Sequence, residues 1–482
     1  MKLGKSLARA VLLLGIILLI LPVAIRFLNG SPLISGSEGY GHARIAEFIS
    51  KNGIPAYDPA MPDRAYLPNA FDILLAGFAK ILGTEAAALI VPFLLGILTL
   101  VCFSAVVRRW KLSQGVSLAV MTVFVLSPLF ASAFAQATPI SLEIFLFVLF
   151  LLVISPPKQE RTAKETVLLS IAAFVIAGVL ASFSITSAIA VFALPMILRG
   201  INRKVQPQML FSCIAALIVL FAIALPAFLQ DEKSPFSKPV LFVQAVSDFG
   251  SSGGLSLFAW LLAIIGFMLL WQFKKKYYAA MIATGAAIVI SLITPSAMAV
   301  AQILVAFLAG YALAFFAQMK WSFDDIRLLT VLVLVCGLLF STLTQDLAIA
   351  RGPPSKEIMA ASIALGSLLP ENTVILSHPE NGFWLEYWSG RQVFLDGWPA
   401  KTPDIAERWA SAQAIWHAQD IMQARGLIYR NSIGAIVITK DMRDGLVWDL
   451  PEQDLLFLLR NNETFKNALH SSSVDIWTVN PR

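Results

Sequence analysis

The chain has 482 residues, of which 58% are hydrophobic and 14% charged, with a formal net charge of +6. Soluble domains carry roughly 45–50% apolar and about 25% charged residues, so one soluble globular body is excluded. The basic excess lies in short clusters between apolar segments, which fits orientation in a membrane and argues against nucleic-acid binding.

Apolar runs of bilayer-crossing length recur from Ala10 to Leu343 and then stop. The first, Ala10–Leu28, exceeds the core of a signal peptide and predicts an uncleaved span. Ten more follow: Ala86–Val107, Gly115–Phe134, Ile140–Ile154, Thr166–Leu180, Ile185–Leu198, Met209–Leu229, Leu255–Trp271, Ala279–Ile293, Ala297–Phe316 and Leu328–Leu343. Cys102, Cys213 and Cys336 each fall inside an apolar run, as small buried hydrophobes do, and imply no disulfide framework. With Lys2, Lys5 and Arg9 on the cytoplasmic side, the clusters at 108–111, 158–164, 199–204, 274–276 and 320–327 all become cytoplasmic, as the positive-inside rule requires. The expectation is a multi-pass protein of the plasma membrane with a cytoplasmic N-terminus. Residues 1–346 form an α-helical membrane domain of about eleven spans with outer loops at 29–85 and 230–254; residues 347–482 form a small extracytoplasmic α/β domain.

In the first outer loop, Glu38, Tyr40, His42 and Arg44 precede Ile45, Ala46, Phe48 and Ile49, which recur at helical spacing until Asn52-Gly53 stops the run. This predicts a short amphipathic helix on the membrane surface, with Glu38 near its N-terminus, either as a functional carboxylate or as a cap. A second interfacial helix follows Tyr66-Leu-Pro-Asn, with Phe71, Leu74, Leu75, Phe78 and Leu82 on one face and Asp72 and Lys80 off it. Glu143 stands alone near the fourth span, where an intramembrane carboxylate has a purpose or a partner. The loop at 230–254 carries Asp231, Glu232, Lys233, Lys238 and Asp248.

After Ser355, helix and strand signals alternate: a helix at Lys356–Leu369, strands at Thr373–Leu376 and Arg391–Leu395, a helix at Asp404–Gly426, a strand at Ala435–Thr439, a helix at Glu452–Asn461 and a strand at Val474–Val479. This predicts an α/β sandwich that folds by itself. No phosphate-cradling glycine loop, His-Glu-x-x-His site or serine nucleophile arrangement is present.

The stretch Glu38-Gly-Tyr-Gly-His42-Ala-Arg44, followed by Asn52-Gly-Ile-Pro, Asp58-Pro59 and Leu67-Pro68, resembles the first outer loop of oligosaccharyltransferase catalytic subunits, and more broadly the GT-C glycosyltransferases. The family pattern Asp-x-x-Tyr-His-x-Arg falls on Glu38, Gly41, His42 and Arg44. Its acidic pair at the second outer loop is missing; its mobile-loop motif corresponds to Ala245-Val-Ser-Asp248; and its Trp-Trp-Asp-Tyr-Gly motif falls on His378, Pro379, Glu380, Asn381 and Gly382.

The resemblance implies an inverting glycosyltransferase using a polyprenyl (dolichyl-type) phosphate or pyrophosphate sugar donor and a protein or glycan acceptor. Glu38 and Asp248 are then the catalytic carboxylates, and Glu38, Asp248 and Glu143 the ligands of Mg2+ or Mn2+. Arg44, His42, Lys233 and Lys238 contact the donor phosphate, and His378, Glu380 and Asn381 the acceptor. Protein asparagine N-glycosylation stands beside monosaccharide transfer to lipid or glycan, a catalytically inactive glycosyltransferase-like subunit, and a transporter.

Overall fold

The computed structural model describes residues 2–155, 162–202, 245–251, 253–293, 297–398, 402–450 and 452–480, with seven further positions between 211 and 222. In chain order, α1 (Lys2–Leu28) leads to α2 (Ser37–Asn52), a hairpin of β1 (Tyr57–Asp58) and β2 (Met61–Ala65), and α3 (Ala70–Leu82). Apolar helices follow: α4 (Thr84–Arg109), α5 (Gln114–Val125), α6 (Pro128–Ala135), α7 (Pro139–Ile154), α8 (Ala163–Phe183), α9 (Ile185–Asn202), α10 (Leu257–Trp271), α11 (Lys274–Ile293), α12 (Met298–Gln318) and α13 (Asp324–Arg351). The C-terminal residues add α14 (Lys356–Leu368), β3 (Val374–Leu376), α15 (Gly382–Ser389), β4 (Gln392–Val393), α16 (Ile405–Trp416), α17 (Ile421–Arg430), β5 (Ile433–Thr439), β6 (Phe465–His470) and β7 (Val474–Val479).

Contacts divide the chain into two units. Among the described residues, a membrane unit takes 2–25, 89–222 and 245–351, and a polar unit takes 26–88 and 352–480. The first loop therefore groups with the C-terminal residues.

Among the described residues of the whole chain, five helices are long and apolar enough to cross a membrane, or six when α5 and α6 count as one bent span; α7 and α10 are shorter apolar helices. Eleven spans are not reproduced on this measure, and the expected seventh, 209–229, lies largely outside the described residues. The expected third span is broken: α5 and α6 meet at 52°. Pro128 explains the bend, because its ring cannot donate a backbone bond and clashes with the preceding turn. Thr342 Oγ1 on α13 donates to the Leu126 carbonyl at the break, at 2.8 Å. Other hydroxyls return to their own helix: Thr99 Oγ1 donates to the Leu95 carbonyl and Ser141 Oγ to that of Thr138. Helices approach through small residues: a Cβ on Gly310 would lie 2.5 Å from the Val120 Cα on α5, so only glycine permits this crossing.

In the polar unit a five-stranded sheet runs β4-β3-β5-β7-β6. β3 pairs parallel with β4 and β5, while β7 runs antiparallel between β5 and β6. β5 is buried along almost its whole length, consistent with its continuous Ile-Gly-Ala-Ile-Val-Ile run. Ile436 and Ile438 pack with Trp416, Trp448, Leu455 and Phe465 in the core.

Three features depart from the sequence expectation. The helix expected over 404–426 is two, separated at 417–420, because Asp420 accepts from the Met422 amide and starts α17. The expected helix at 452–461 shrinks to Leu455–Leu458. Among the C-terminal residues two elements were not anticipated: α15, whose aromatic run lacks a clear period, and β6, an edge strand of Lys, Asn and His with mostly exposed residues.

Candidate active site of the polar unit

The motif residues lie on α2, which begins at Ser37, so Glu38 occupies its first turn and His42 follows one turn later. α2 packs against α3 and α15, and Gly41 faces the Phe383 ring: a Cβ there would lie 2.9 Å from it. Glu38 is half exposed, with 54% of its side chain open, and its Oε1 lies 3.5 Å from His42 Nε2. His42 is buried, its ring edge-on to Phe71 and 5.1 Å from that of Trp398. Its Nδ1 meets Asp72 Oδ1 at 2.6 Å, and Tyr66 Oη donates to Asp72 Oδ2 at 2.8 Å. Asp72 is not off the packed face as its spacing implied; it is 1% exposed. Asn69 caps α3 by accepting from the Phe71 amide.

Burial alone would lower the His42 pKa, but the Asp72 carboxylate, helped by Glu38, outweighs it and lifts the imidazole to about 9. His42 is therefore a cation at neutral pH. Burial and the same Asp72 carboxylate push the Tyr66 phenol up, so Tyr66 stays a neutral donor.

Beside this group lies a buried ion network. Arg64 Nη1 and Nη2 donate to Asp396 Oδ1 and Oδ2 at 2.8 and 2.5 Å, and Nη2 also reaches Asp58 Oδ2 at 2.7 Å. Arg44 Nη2 donates to Asp58 Oδ2 at 2.9 Å, and its Nη1 lies 2.8 Å from Glu386 Oε2. The fork geometry of arginine suits this bidentate role. Asp58 is fixed further by accepting from the Ala60 amide in the hairpin turn. Although burial opposes its charge, Arg44 and Arg64 hold the Asp58 carboxyl below its ordinary range. Three carboxylates face two guanidinium groups here, and the mismatch falls on Glu386. Burial, with Asp396 and Asp58 nearby, raises its carboxyl to about 8 despite Arg44.

Arg44, expected at the donor phosphate, is committed to Asp58 and Glu386. His378 caps a short turn by accepting from the Glu380 amide at 3.3 Å, and burial lowers it to about 4, leaving it neutral. Glu380 is exposed, with its carboxyl raised by partial burial and by Asp441. Asn381 is turned inward, donating to Ser377 Oγ and Thr439 Oγ1 at 3.1 and 3.4 Å. In the membrane unit, Glu143 is buried and accepts from Ser187 Oγ. Asp248 is exposed but has both oxygens engaged: one accepts from the Leu257 amide at 2.7 Å and the other from Ser341 Oγ at 2.6 Å, which ties α10 to α13. Lys233 and Lys238 fall outside the described residues. Among the described residues, no three His, Cys, Asp or Glu side chains gather where they could hold a metal ion.

No protein-family model and no curated protein matches this sequence. Solved structures do. The crystal structure of the Archaeoglobus fulgidus oligosaccharyltransferase tethered with an acceptor peptide containing the NVT sequon matches with a TM-score of 0.65 at 12% identity, covering 90% of this chain and 69% of that one. ArnT from Cupriavidus metallidurans bound to undecaprenyl phosphate gives 0.58 at 12% identity, over 98% and 99% of the two chains. The arabinofuranosyltransferase AftD from Mycobacteria gives 0.59 at 14% identity, covering 100% of this chain and 40% of that one. All three are GT-C glycosyltransferases. This chain has the GT-C fold.

The residues that sequence reasoning missed on this GT-C framework are Asp58, Arg64, Tyr66, Asp72 and Glu386. Their signal was present as charge within apolar or aromatic surroundings: Asp72 in the first turn of an apolar helix, and Glu386 amid Phe383, Trp384, Tyr387 and Trp388. Such charges are expensive to bury and call for partners.

Proposed function

We propose that this GT-C chain is a membrane glycosyltransferase that moves a sugar from a polyprenyl phosphate or pyrophosphate donor to an acceptor, with Glu38 as the general base. One observation carries the reading: Glu38 is a half-exposed carboxylate in the first turn of the motif helix, backed by His42, whose other ring nitrogen is anchored on Asp72. The acceptor oxygen or nitrogen attacks the anomeric carbon and gives its proton to Glu38. The bond from that carbon to the phosphate oxygen breaks, and its electron pair leaves with the phosphate. Such a base contributes about 100-fold or more to rate.

A divalent cation, Mg2+ or Mn2+, belongs to this reading, because hard oxygen ligands suit it. Glu38 is the least engaged candidate ligand, whereas both Asp248 oxygens already accept hydrogen bonds within the membrane unit. The proton step itself needs only Glu38. The acceptor side favours a lipid or glycan hydroxyl over an asparagine sequon: His378-Pro-Glu-Asn-Gly lacks the family tryptophans, and Asn381 is turned into the domain. The polar unit and its lipid-linked donor are placed on the extracytoplasmic side of the plasma membrane, with the N-terminus cytoplasmic, on the strength of the lysine and arginine clusters.

The test uses membranes of the producing host, with the polyprenyl-phosphate lipid pool labelled by a 14C sugar. Label should leave the lipid fraction with the wild type, about 100-fold more slowly with Glu38→Gln, and at an intermediate rate with Glu38→Asp. Equal rates for all three variants, at equal expression, would refute the assignment.

A further inference from the structure

The break between α5 and α6 gathers buried polar groups that the proposed reaction does not use. Thr342 of α13 fixes the register there by donating to the Leu126 carbonyl. Asp346 follows Thr342 by one helical turn and so shares its face, on the helix that packs against α6. It is buried, neither carboxylate oxygen has a hydrogen-bond partner among the described residues, and no cation pairs with it there. Ser127, the residue after Leu126, stands at the N-cap position of α6 without capping it, and its buried Oγ is likewise unbonded. α12 runs antiparallel to α5, since Gly310 crosses it at Val120 and Gln318 lies against Gly115. That register sets Gln302 level with the break, and both polar atoms of its amide are buried and unbonded. Pro128 has no N–H, so the Phe124 carbonyl one turn earlier loses its helical donor as well.

Polar groups without partners are costly in an apolar interior, and their chemistry selects what satisfies them. A carboxylate, a hydroxyl, an amide carbonyl and a backbone carbonyl are all hard oxygen ligands. Exposures of 0%, 5% and 1% at Asp346, Ser127 and Gln302 exclude a sugar ring and admit a single atom. Charge then decides among the small candidates. Water leaves the buried carboxylate uncompensated and a divalent ion leaves a net positive charge, whereas a monovalent cation balances it. Interrupted membrane helices elsewhere hold sodium through carbonyls freed in this way.

We propose that Asp346, with Ser127, Gln302 and the Phe124 carbonyl, binds one alkali-metal cation that fastens α13 to the break between α5 and α6. The ion is a structural ligand of the membrane unit, and the inference does not depend on the reading of Glu38 as base.

The test uses the full-length protein in detergent, with EDTA present. Thermal unfolding is followed in sodium chloride and in choline chloride of equal ionic strength, and retention of 22Na+ is measured on the same preparation. A cation at about 100 times its dissociation constant shifts the folding equilibrium about 100-fold. The wild-type midpoint should therefore rise by a few degrees and saturate with sodium but not with choline, with one 22Na+ retained per chain. Asp346→Asn should abolish both effects, Ser127→Ala should weaken retention without abolishing it, and Glu38→Gln should change neither. Equal midpoints in the two salts for the wild type, or a sodium dependence that survives in Asp346→Asn, would overturn the site.

If Asp346→Asn fails to fold, the other ligands and competition decide. Wild-type affinity for 22Na+ in Ser127→Ala combined with Gln302→Ala would overturn the location. With EDTA omitted, displacement of 22Na+ by Mg2+ as readily as by unlabelled sodium would overturn the monovalent assignment.

Discussion

In the membrane unit α12 meets α5 where Gly310 has no side chain to hold them apart, and buried hydroxyls such as those of Thr99 and Ser141 satisfy carbonyls of their own helix. Beside α2 in the polar unit the buried contacts are ionic: Arg64 is 2% exposed and binds Asp396 and Asp58, while Arg44 binds Asp58 and Glu386. The first solution has little to lose when one polar group is removed and much to lose when bulk is added. The second is the reverse, because a buried charge stripped of its partner costs about 3–5 kcal/mol. A rigid, charge-rich unit also provides what a base needs, since a carboxylate held by fixed partners does not reorganise as charge shifts.

The largest test of this contrast is to separate what the polar unit holds together. Expressed from Ser355 to Arg482 alone, the C-terminal residues leave Asp396 and Glu386 buried without Arg64 and Arg44, so the fragment should aggregate or unfold without cooperativity. Adding residues 26–88 on one chain should restore cooperative thermal unfolding by circular dichroism. A soluble, cooperative fragment on its own would show that the network is dispensable.

Arg64→Met probes the same network within the full chain. It should destabilise by about 3–5 kcal/mol, and Arg64→Met combined with Asp396→Leu should recover much of that, since removing both charges removes the unpaired one. Equal stability of the single and double variants, by denaturant unfolding, would break the electrostatic account.

pH gives a milder perturbation. His42 and Glu386 both have pKa values raised on folding, to about 9 and about 8. A raised value means that stability is fully present below the unfolded pKa and lost as pH rises through the folded one. For His42 that window runs from about 6.5 to 9, with on the order of 3 kcal/mol at stake. The unfolding midpoint of the polar unit should therefore fall between neutral pH and pH 9, and fall less in His42→Gln. A rise over that range would contradict the signs. In the membrane unit, Gly310→Ala should cost about 1–3 kcal/mol through overpacking against Val120, with no pH dependence.

The two regions also differ in how much the sequence revealed. Hydropathy located the apolar helices because a span must be apolar along its length, yet it missed the bend at Pro128, where length and hydrophobicity stay unbroken while the backbone does not. Glu38, His42 and Arg44 were legible because they lie within seven residues on one helix. Their partners were not, since Arg44 meets Glu386 and Arg64 meets Asp396 across more than 300 residues, and no local period encodes such pairing. Asp72 was assigned to the wrong side of α3 because helical spacing treats a carboxylate as solvent-seeking, whereas His42 and Tyr66 satisfy it in the interior.

The central claim is that the reacting carboxylate is Glu38 on α2, and that Glu143, partnered by Ser187, serves packing in the membrane unit. The most direct measurement is release of 14C sugar from the labelled polyprenyl-phosphate lipid pool by Glu38→Gln and Glu143→Gln, side by side and at equal folded amounts. The account predicts a loss of about 100-fold or more for Glu38→Gln and less than about 10-fold for Glu143→Gln. A large loss for Glu143→Gln with near-normal turnover for Glu38→Gln would contradict it.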